Sequence, residues 1–471
     1  MDGAGAGGEL HVDVAVVGLG LIGSATLREL AAAGAARGAV VAGIGPAEPP
    51  ILAEHPGPFA SHYDSGRITR HLDARYEWAV LATRAIARYG ELEAMSGIDF
   101  HRPVGAVLAE LDPGRIASTI ANADRVGSSV RVVGPEAPNP YAPLLSFPAG
   151  STLLAEPGPA GHVDPRRMLA ANLAVAAELG ATIVREACTS LDRSATGGWS
   201  ATTIGGDRVR ARTVVLAAGP HADELHPALP SLEVRAETVV LATLDPSEAD
   251  RLRPLPSVLA RLADHPVYGD LYLVPPTSYP DGTTRLKLGA TSDPYRPLRT
   301  AGEKRAWMRG DAHALELAGL RALVEDLVPG VRATAWETTP CLITETPSDL
   351  PYLDHVDDGL VLAAGGNGYA AKSANAIGAI ARASPSKAAG PTPTSTPPPS
   401  PLPDSPPRRF ARLTDSPDER IAGDSPPPRT EFCARITRHQ REICAPNPGL
   451  RTAPGSPPQP RATSGRRTEC R

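Results

Sequence analysis

Near the start of the chain, "VDVAVVGLGLIGSATLRELAAAG" sets Gly18-Leu-Gly20-Leu-Ile-Gly23 between an apolar run and an alanine-rich stretch. This spacing predicts a buried strand over Val12 to Val17, a tight turn, and a helix from Ser24. Three glycines serve three needs there. Gly18 turns the chain, Gly20 lets a pyrophosphate approach the backbone, and Gly23 lets the helix pack on the strand. The helix N-terminus adds N–H donors and a positive dipole end. An α/β fold with a dinucleotide at its first crossover is the consequence. The second strand, "AVVAGIGPAEPP", should end in an acid that holds the ribose hydroxyls. Gly45 stands there instead, with Glu48 three residues on as a substitute, which weakens a simple NAD reading.

Two later stretches return to the same layer. "RARTVVLAAGPHADEL" (210–225) reads as a buried strand ending in Ala-Ala-Gly-Pro, and "DGLVLAAGGNGYAAKSANAIGAIA" (358–381) as a strand, a glycine loop and a helix. Gly365, Gly366 and Gly368 permit close approach to a cofactor, and the helix behind them aims its dipole at an anionic or electron-rich group. Recurring in this order, they point to a flavin fold rather than a plain nicotinamide domain.

From about residue 10 to 383, β-branched runs alternate with Ala/Leu-rich stretches of helical period. The text then changes to "PSKAAGPTPTSTPPPSPLPDSPPRRF", and twenty of the 51 prolines lie beyond Ser384. Such a segment neither propagates a helix nor buries enough apolar surface to offset its chain entropy, so 384–471 reads as a disordered Pro/Arg-rich tail. Its Pro403-to-Arg408 stretch fits a PxxPxR ligand for an SH3-type groove. Cys433, His439 and Cys444 lack zinc-ligand spacing. The break falls within a helical pattern, as a frameshifted or alternative end would.

The formal charge of −5 argues against a general nucleic-acid binder. Only Cys188 and Cys341 precede the tail, so no disulfide framework is implied. With no basic, apolar leader and no bilayer-length apolar run, the expectation is a cytoplasmic protein without a membrane partner. Lysine occurs only at Lys287, Lys304, Lys372 and Lys387, so each is conspicuous among the arginines.

These stretches together resemble the FAD-dependent amine oxidases of the glycine/D-amino-acid oxidase superfamily, nearest the monomeric sarcosine oxidase and N-methyltryptophan oxidase branch. The resemblance spans about 10–383. Beyond the two glycine motifs it rests on "SHYDSGRITRHLDARYEWAVLATRAI" (61–86), "GHVDPRRMLAANLAVAAELGATIV" (161–184), "LKLGAT" (286–291) and "CLITETPSDLPYLD" (341–354). It implies an FAD-binding Rossmann-like domain built from 10–90, 150–220 and 335–383, interleaved with a mixed-sheet substrate domain from 91–149 and 221–334. "RVGSSVRVV" and "RAETVVLATL" would supply strands to the second.

By position, the resemblance makes Cys341, which opens a C-x-x-T-x-T-P stretch, the residue that joins FAD through its 8α-methyl group. Arg67 falls near the flavin ring and Arg70 at the substrate carboxylate. Lys287 falls over the flavin, promoting reoxidation by O2. Ser61, Val184 and Lys372 join Gly18, Gly20, Gly23, Gly365, Gly366 and Gly368 as cofactor contacts, and Tyr272 and Lys372 join Arg70 at the substrate. No metal is called for. These residue types suit the chemistry: oxidising an amine puts negative charge on the reduced flavin, which cations and a helix dipole stabilise, and superoxide is itself an anion. The planar fork of Arg70 can pair both carboxylate oxygens. Ion pairs with Asp64 or Asp73 are the plainer use of the two arginines, a buried hydrophobe that of Cys341, and core or surface that of Cys188.

The pattern fails in places. Ala290-Thr291 replaces the relatives' histidine after Lys-Leu-Gly, Asn367 replaces the histidine of Gly-His-Gly, and Lys372 is displaced by about two residues. The expected activity is therefore oxidation of a primary or secondary amine, an N-methyl or related amino acid, to an imine by a monomeric flavoprotein, with O2 giving H2O2. The alternatives are a flavin dehydrogenase that passes electrons to a carrier and a non-catalytic protein acting through its tail.

Overall fold

The computed structural model describes residues 8–382. The tail readings, including the PxxPxR stretch and the cysteines beyond Ser384, lie outside the described residues. The fold is mixed α/β, as expected, with two eight-stranded sheets and one three-stranded sheet.

The first sheet runs in the order Cys188–Arg193, Trp199–Thr203, Arg208–Leu216, Glu9–Val17, Val41–Ile44 and Thr182–Val184. Its centre is parallel, which buries both faces there and accounts for the apolar runs 14–17 and 214–216 that end the two central strands, Glu9–Val17 and Arg208–Leu216. Arg208–Leu216 changes partner along its length. Trp199–Thr203 pairs antiparallel with its first half, and Leu360–Ala364 parallel with its second. The third glycine-rich motif is thereby delivered beside the first. Helices Leu21–Ala35 and Ala370–Ala381 cross at close range over this sheet, because position 378 carries no side chain. A Cβ there would stand 2.7 Å from the backbone of Ala25 and Thr26. We expect Gly378→Val to force the helices apart and cost about 3 kcal/mol, read as a fall in thermal midpoint.

The second sheet is mixed, in the order Ala333–Glu345, Glu233–Leu244, Thr284–Ser292, Tyr268–Ser278, Ser257–Arg261, Ala106–Glu110, Thr152–Glu156 and Arg131–Val133. One face packs Val240, Leu273 and Leu288 against helix Leu317–Leu327. Alternation along the strands sends Cys341, Lys287 and Tyr272 to the other face. The span 335–383 begins with a strand bonded along its length to Glu233–Leu244, and 150–220 begins with Thr152–Glu156, also in the second sheet. Strand pairing at such range leaves no local mark in the sequence. A small sheet of Arg67–Thr69, Gly161–Val163 and His101–Arg102 carries the first arginine.

Candidate active site

A cavity of about 630 Å³ runs from the first glycine loop to Lys372. It is of the size and apolar character of a cofactor and small-molecule site.

At one end Gly18 takes φ +95°, where an added Cβ would meet the backbone of Ala217 and Ala218 at 2.6 Å. Gly20 differs, since a Cβ there would make only ordinary contacts with His62 and Ala60. It caps helix Leu21–Ala35, whose first turn has no side-chain cap and no acid, so its N–H groups remain available to an anion. Gly23 lies behind the wall, where a Cβ would strike the Gly18 carbonyl. Gly45 is imposed by packing: a Cβ would lie 2.8 Å from that of Leu19. An acid cannot stand at that strand end. Glu48 lines the cavity instead, its carboxylate held by His62 and 3.8 Å from Arg166. Val184 is not among the lining residues; its carbonyl accepts from the Gly45 N–H at 3.0 Å, and Ala187, Cys188 and Thr189 reach the cavity in its place.

Midway, Arg67 gathers several groups. Its Nη1 donates to the Tyr272 hydroxyl at 3.1 Å, and its Nη2 to the Ser61 carbonyl and the Cys341 sulfur, each at 3.2 Å. Cys341 is a free thiol, 6% exposed and on the cavity wall. Lys287 stands one layer behind. Its Nζ bonds Asp64 and donates to the Gly66 carbonyl at 2.8 Å, and it lies 5.2 Å from the centre of the Tyr272 ring. Burial, with the Arg67 charge added, brings its pKa down to about 8 despite Asp64.

Arg70 and Lys372, also on the lining, converge on one carboxylate. Arg70 Nη1 donates to Asp73 Oδ2 at 3.1 Å and Lys372 Nζ to the same oxygen at 2.7 Å. All three side chains are buried, and the Tyr369 ring packs beside both cations. Burial alone would raise the pKa of Asp73; Lys372 and Arg70 reverse this and hold it well below the usual carboxylate range. Two buried cations therefore share one anion, leaving net positive charge at the wall. Burial, then the neighbouring Arg70 charge, brings the Lys372 pKa down to about 8.

The loop between the last strand and helix is pinned from below. Gly365 has φ +85° and Gly368 φ +75°. Asn367 adopts φ +48°, accepts from the Thr346 N–H at 2.8 Å and donates to the Gly365 carbonyl at 2.7 Å. Asparagine tolerates that conformation better than most residues, which suits it to this place.

The structure thus brings Gly18, Gly20, Ser61, Arg67, Arg70, Tyr272, Cys341, Gly365, Gly366, Gly368 and Lys372 to the lining of one cavity, and leaves Gly23, Val184 and Lys287 outside it. The sequence reading weighed Asp64 and Asp73 only as competitors for the arginines, and it missed His62. The spacings Asp64-x-x-Arg67 and Arg70-x-x-Asp73 were the available signal. No group of acids, histidines and cysteines among the described residues could hold a metal, and no described helix is long and apolar enough to cross a membrane.

The DAO family, described as FAD dependent oxidoreductase, matches residues 13–383. The chain belongs to this family. DAO members use FAD, and this cavity fits it: an open approach at Gly20, an uncapped helix N-terminus, and cations beside a second glycine loop. No curated protein matches the chain by sequence. Among solved structures the chain is similar to NikD, described as an unusual amino acid oxidase essential for nikkomycin biosynthesis. That match has 22% identity and a TM-score of 0.63, over 79% of this chain and 93% of the other. Glycine oxidase from Geobacillus kaustophilus matches at 23% identity and a TM-score of 0.58, over 81% and 96%. Fructosamine oxidase (Amadoriase II) from Aspergillus fumigatus matches at 16% and 0.61, over 81% and 88%. These likenesses establish the fold of this DAO protein.

Proposed function

We propose that this DAO protein oxidises the C–N bond of a carboxylate-bearing amine, an N-methyl or related amino acid, to an imine, with FAD joined to Cys341 and O2 as electron acceptor. The observation that carries this reading is the convergence of Arg70 and Lys372, both on the lining of the cavity that holds the dinucleotide loop, on Asp73. A substrate carboxylate placed there would meet two desolvated cations, one able to pair both its oxygens. When bound, FAD accepts the electrons from the carbon. The chain's own part is to hold the carboxylate, keep water from the amine between Tyr272 and Tyr369, and present Arg67 to developing negative charge. A sarcosine-oxidase-like activity, a monomeric state and a cytoplasmic location belong to this proposal. The first rests on Cys341 and the two arginines, the last on the scarcity of cysteine before the tail.

One observation favours a second reading. Lys287, the group assigned to reoxidation, is tied to Asp64 and the Gly66 carbonyl and does not line the cavity. A flavin dehydrogenase that hands electrons to a carrier would have no need of it there. Peroxide formed one for one with amine consumed, in air and without a carrier, supports the oxidase. Turnover only with an added dye acceptor supports the dehydrogenase.

The lysine at the carboxylate site gives the pH dependence a sign. A lysine pKa lowered to about 8 means Lys372 is charged below that pH and neutral above it. KM for a carboxylate substrate is therefore expected to rise as pH increases through about 8, and in Lys372→Met that rise should vanish against a uniformly higher KM.

A further inference from the structure

Thioether formation needs Cys341 as a thiolate, the nucleophilic form of a cysteine. Its proton must go somewhere, and the thiol is buried. The Sγ–H contacts the Ser61 and Leu342 carbonyls at 3.6 Å, and neither amide oxygen can keep a proton. Asp64 is committed to Lys287 and Arg67, Glu345 to Arg235, and Asp270 to Arg261. Glu237 remains. It stands directly opposite Cys341 in the register of strands Glu233–Leu244 and Ala333–Glu345. Such opposed residues share a face with their Cβ atoms about 4.5–5.5 Å apart. The Glu237 carboxyl is buried, and its one polar contact given by the structure is the guanidinium of Arg235. Arg67 reaches the sulfur with Nη2 at 3.2 Å.

We propose that Glu237 is the proton acceptor for the Cys341 thiol when the thioether to FAD forms. This rests on the covalent attachment put forward above. The S–H bond breaks and its proton passes to the Glu237 carboxylate. One C–H bond of the 8α-methyl group breaks with loss of a proton, and a C–S bond forms. The two electrons released stay on the flavin ring until dioxygen takes them, with two protons, as H2O2. Burial, opposed by Arg235, pushes the Glu237 pKa up to about 7, so the group exchanges a proton in the neutral range. The charged or titratable groups around it are Arg235 on its own strand, Glu345 and Cys341 on one neighbour, Asp270 and Tyr272 beyond the other, and Arg67.

The test uses full-length apoprotein from riboflavin-starved cells, mixed with FAD and acid-precipitated at intervals, with flavin fluorescence of the pellet read against time. For the wild type the rate is expected to rise as pH passes through about 7. Glu237→Gln, which can keep a hydrogen bond to Arg235, should still bind FAD but form the thioether roughly 100-fold more slowly, without that pH step. Glu237→Asp should recover part of the rate and the step. Glu237→Gln labelling at the wild-type rate, or a wild-type rate flat from about pH 6 to about pH 8, overturns the proposal. Should Glu237→Gln fail to fold, the wild-type profile and Glu237→Asp decide it. A wild-type pellet that never gains flavin removes the covalent attachment itself, a different result from a labelled wild type and an equally labelled variant.

Discussion

A Cys341→Ser protein is expected to release its entire flavin into the supernatant on acid precipitation, whereas the wild-type pellet stays yellow. The difference is all or none, because a serine hydroxyl at this site has neither the acidity nor the nucleophilicity to replace a thiolate. Arg67 donates to Sγ, and the chain is fixed through the Cys341 carbonyl, which accepts from Trp307 Nε1 at 3.0 Å. That backbone anchor does not depend on the side chain, so the serine protein should fold and bind FAD reversibly. Acid-stable flavin in Cys341→Ser would place the link elsewhere or deny it.

Arg70→Ala is expected to lower kcat/KM for a carboxylate-bearing amine by about 10²- to 10³-fold, the scale on which a buried charge left without its partner is felt. Asp73 would then neutralise Lys372 alone, and the net positive charge that should attract the substrate would be gone. Arg70→Lys restores charge but not the two-pronged geometry, so it should recover only part of the loss. An amine without a carboxylate provides the control. Its turnover, low in the wild type, should change little in either variant, whereas an equal fall for both substrates would mean that Arg70 acts on the fold.

Both glycine loops were legible in the sequence because their constraints are local: a turn at φ +95° and a helix end at Gly20 depend on residues within a few positions. The arginines and Cys341 were legible by resemblance alone, for nothing in "GRITRHLD" or "TPCLITE" states that Arg67 will reach a sulfur 274 residues away. The structure adds the reason, since the small sheet holding Arg67 and the strand holding Cys341 meet at one wall. The two shared carboxylates could not be foreseen in the same way. Asp64 and Asp73 sit three residues from their arginines, but the lysines that complete each group arrive from positions 287 and 372. Lys287 shows the converse. Its motif was clear, yet its direction depended on Asp64 and on the Tyr272 ring, which a single stretch of sequence does not contain.

The most direct measurement of the central claim is the visible spectrum of the purified protein as amines are added without oxygen. A yellow protein is expected, whose flavin bands bleach with N-methyl or free amino acids and stay unchanged with the same amines lacking the carboxylate. A folded but colourless protein, or a flavin that bleaches equally with and without the carboxylate, would contradict it.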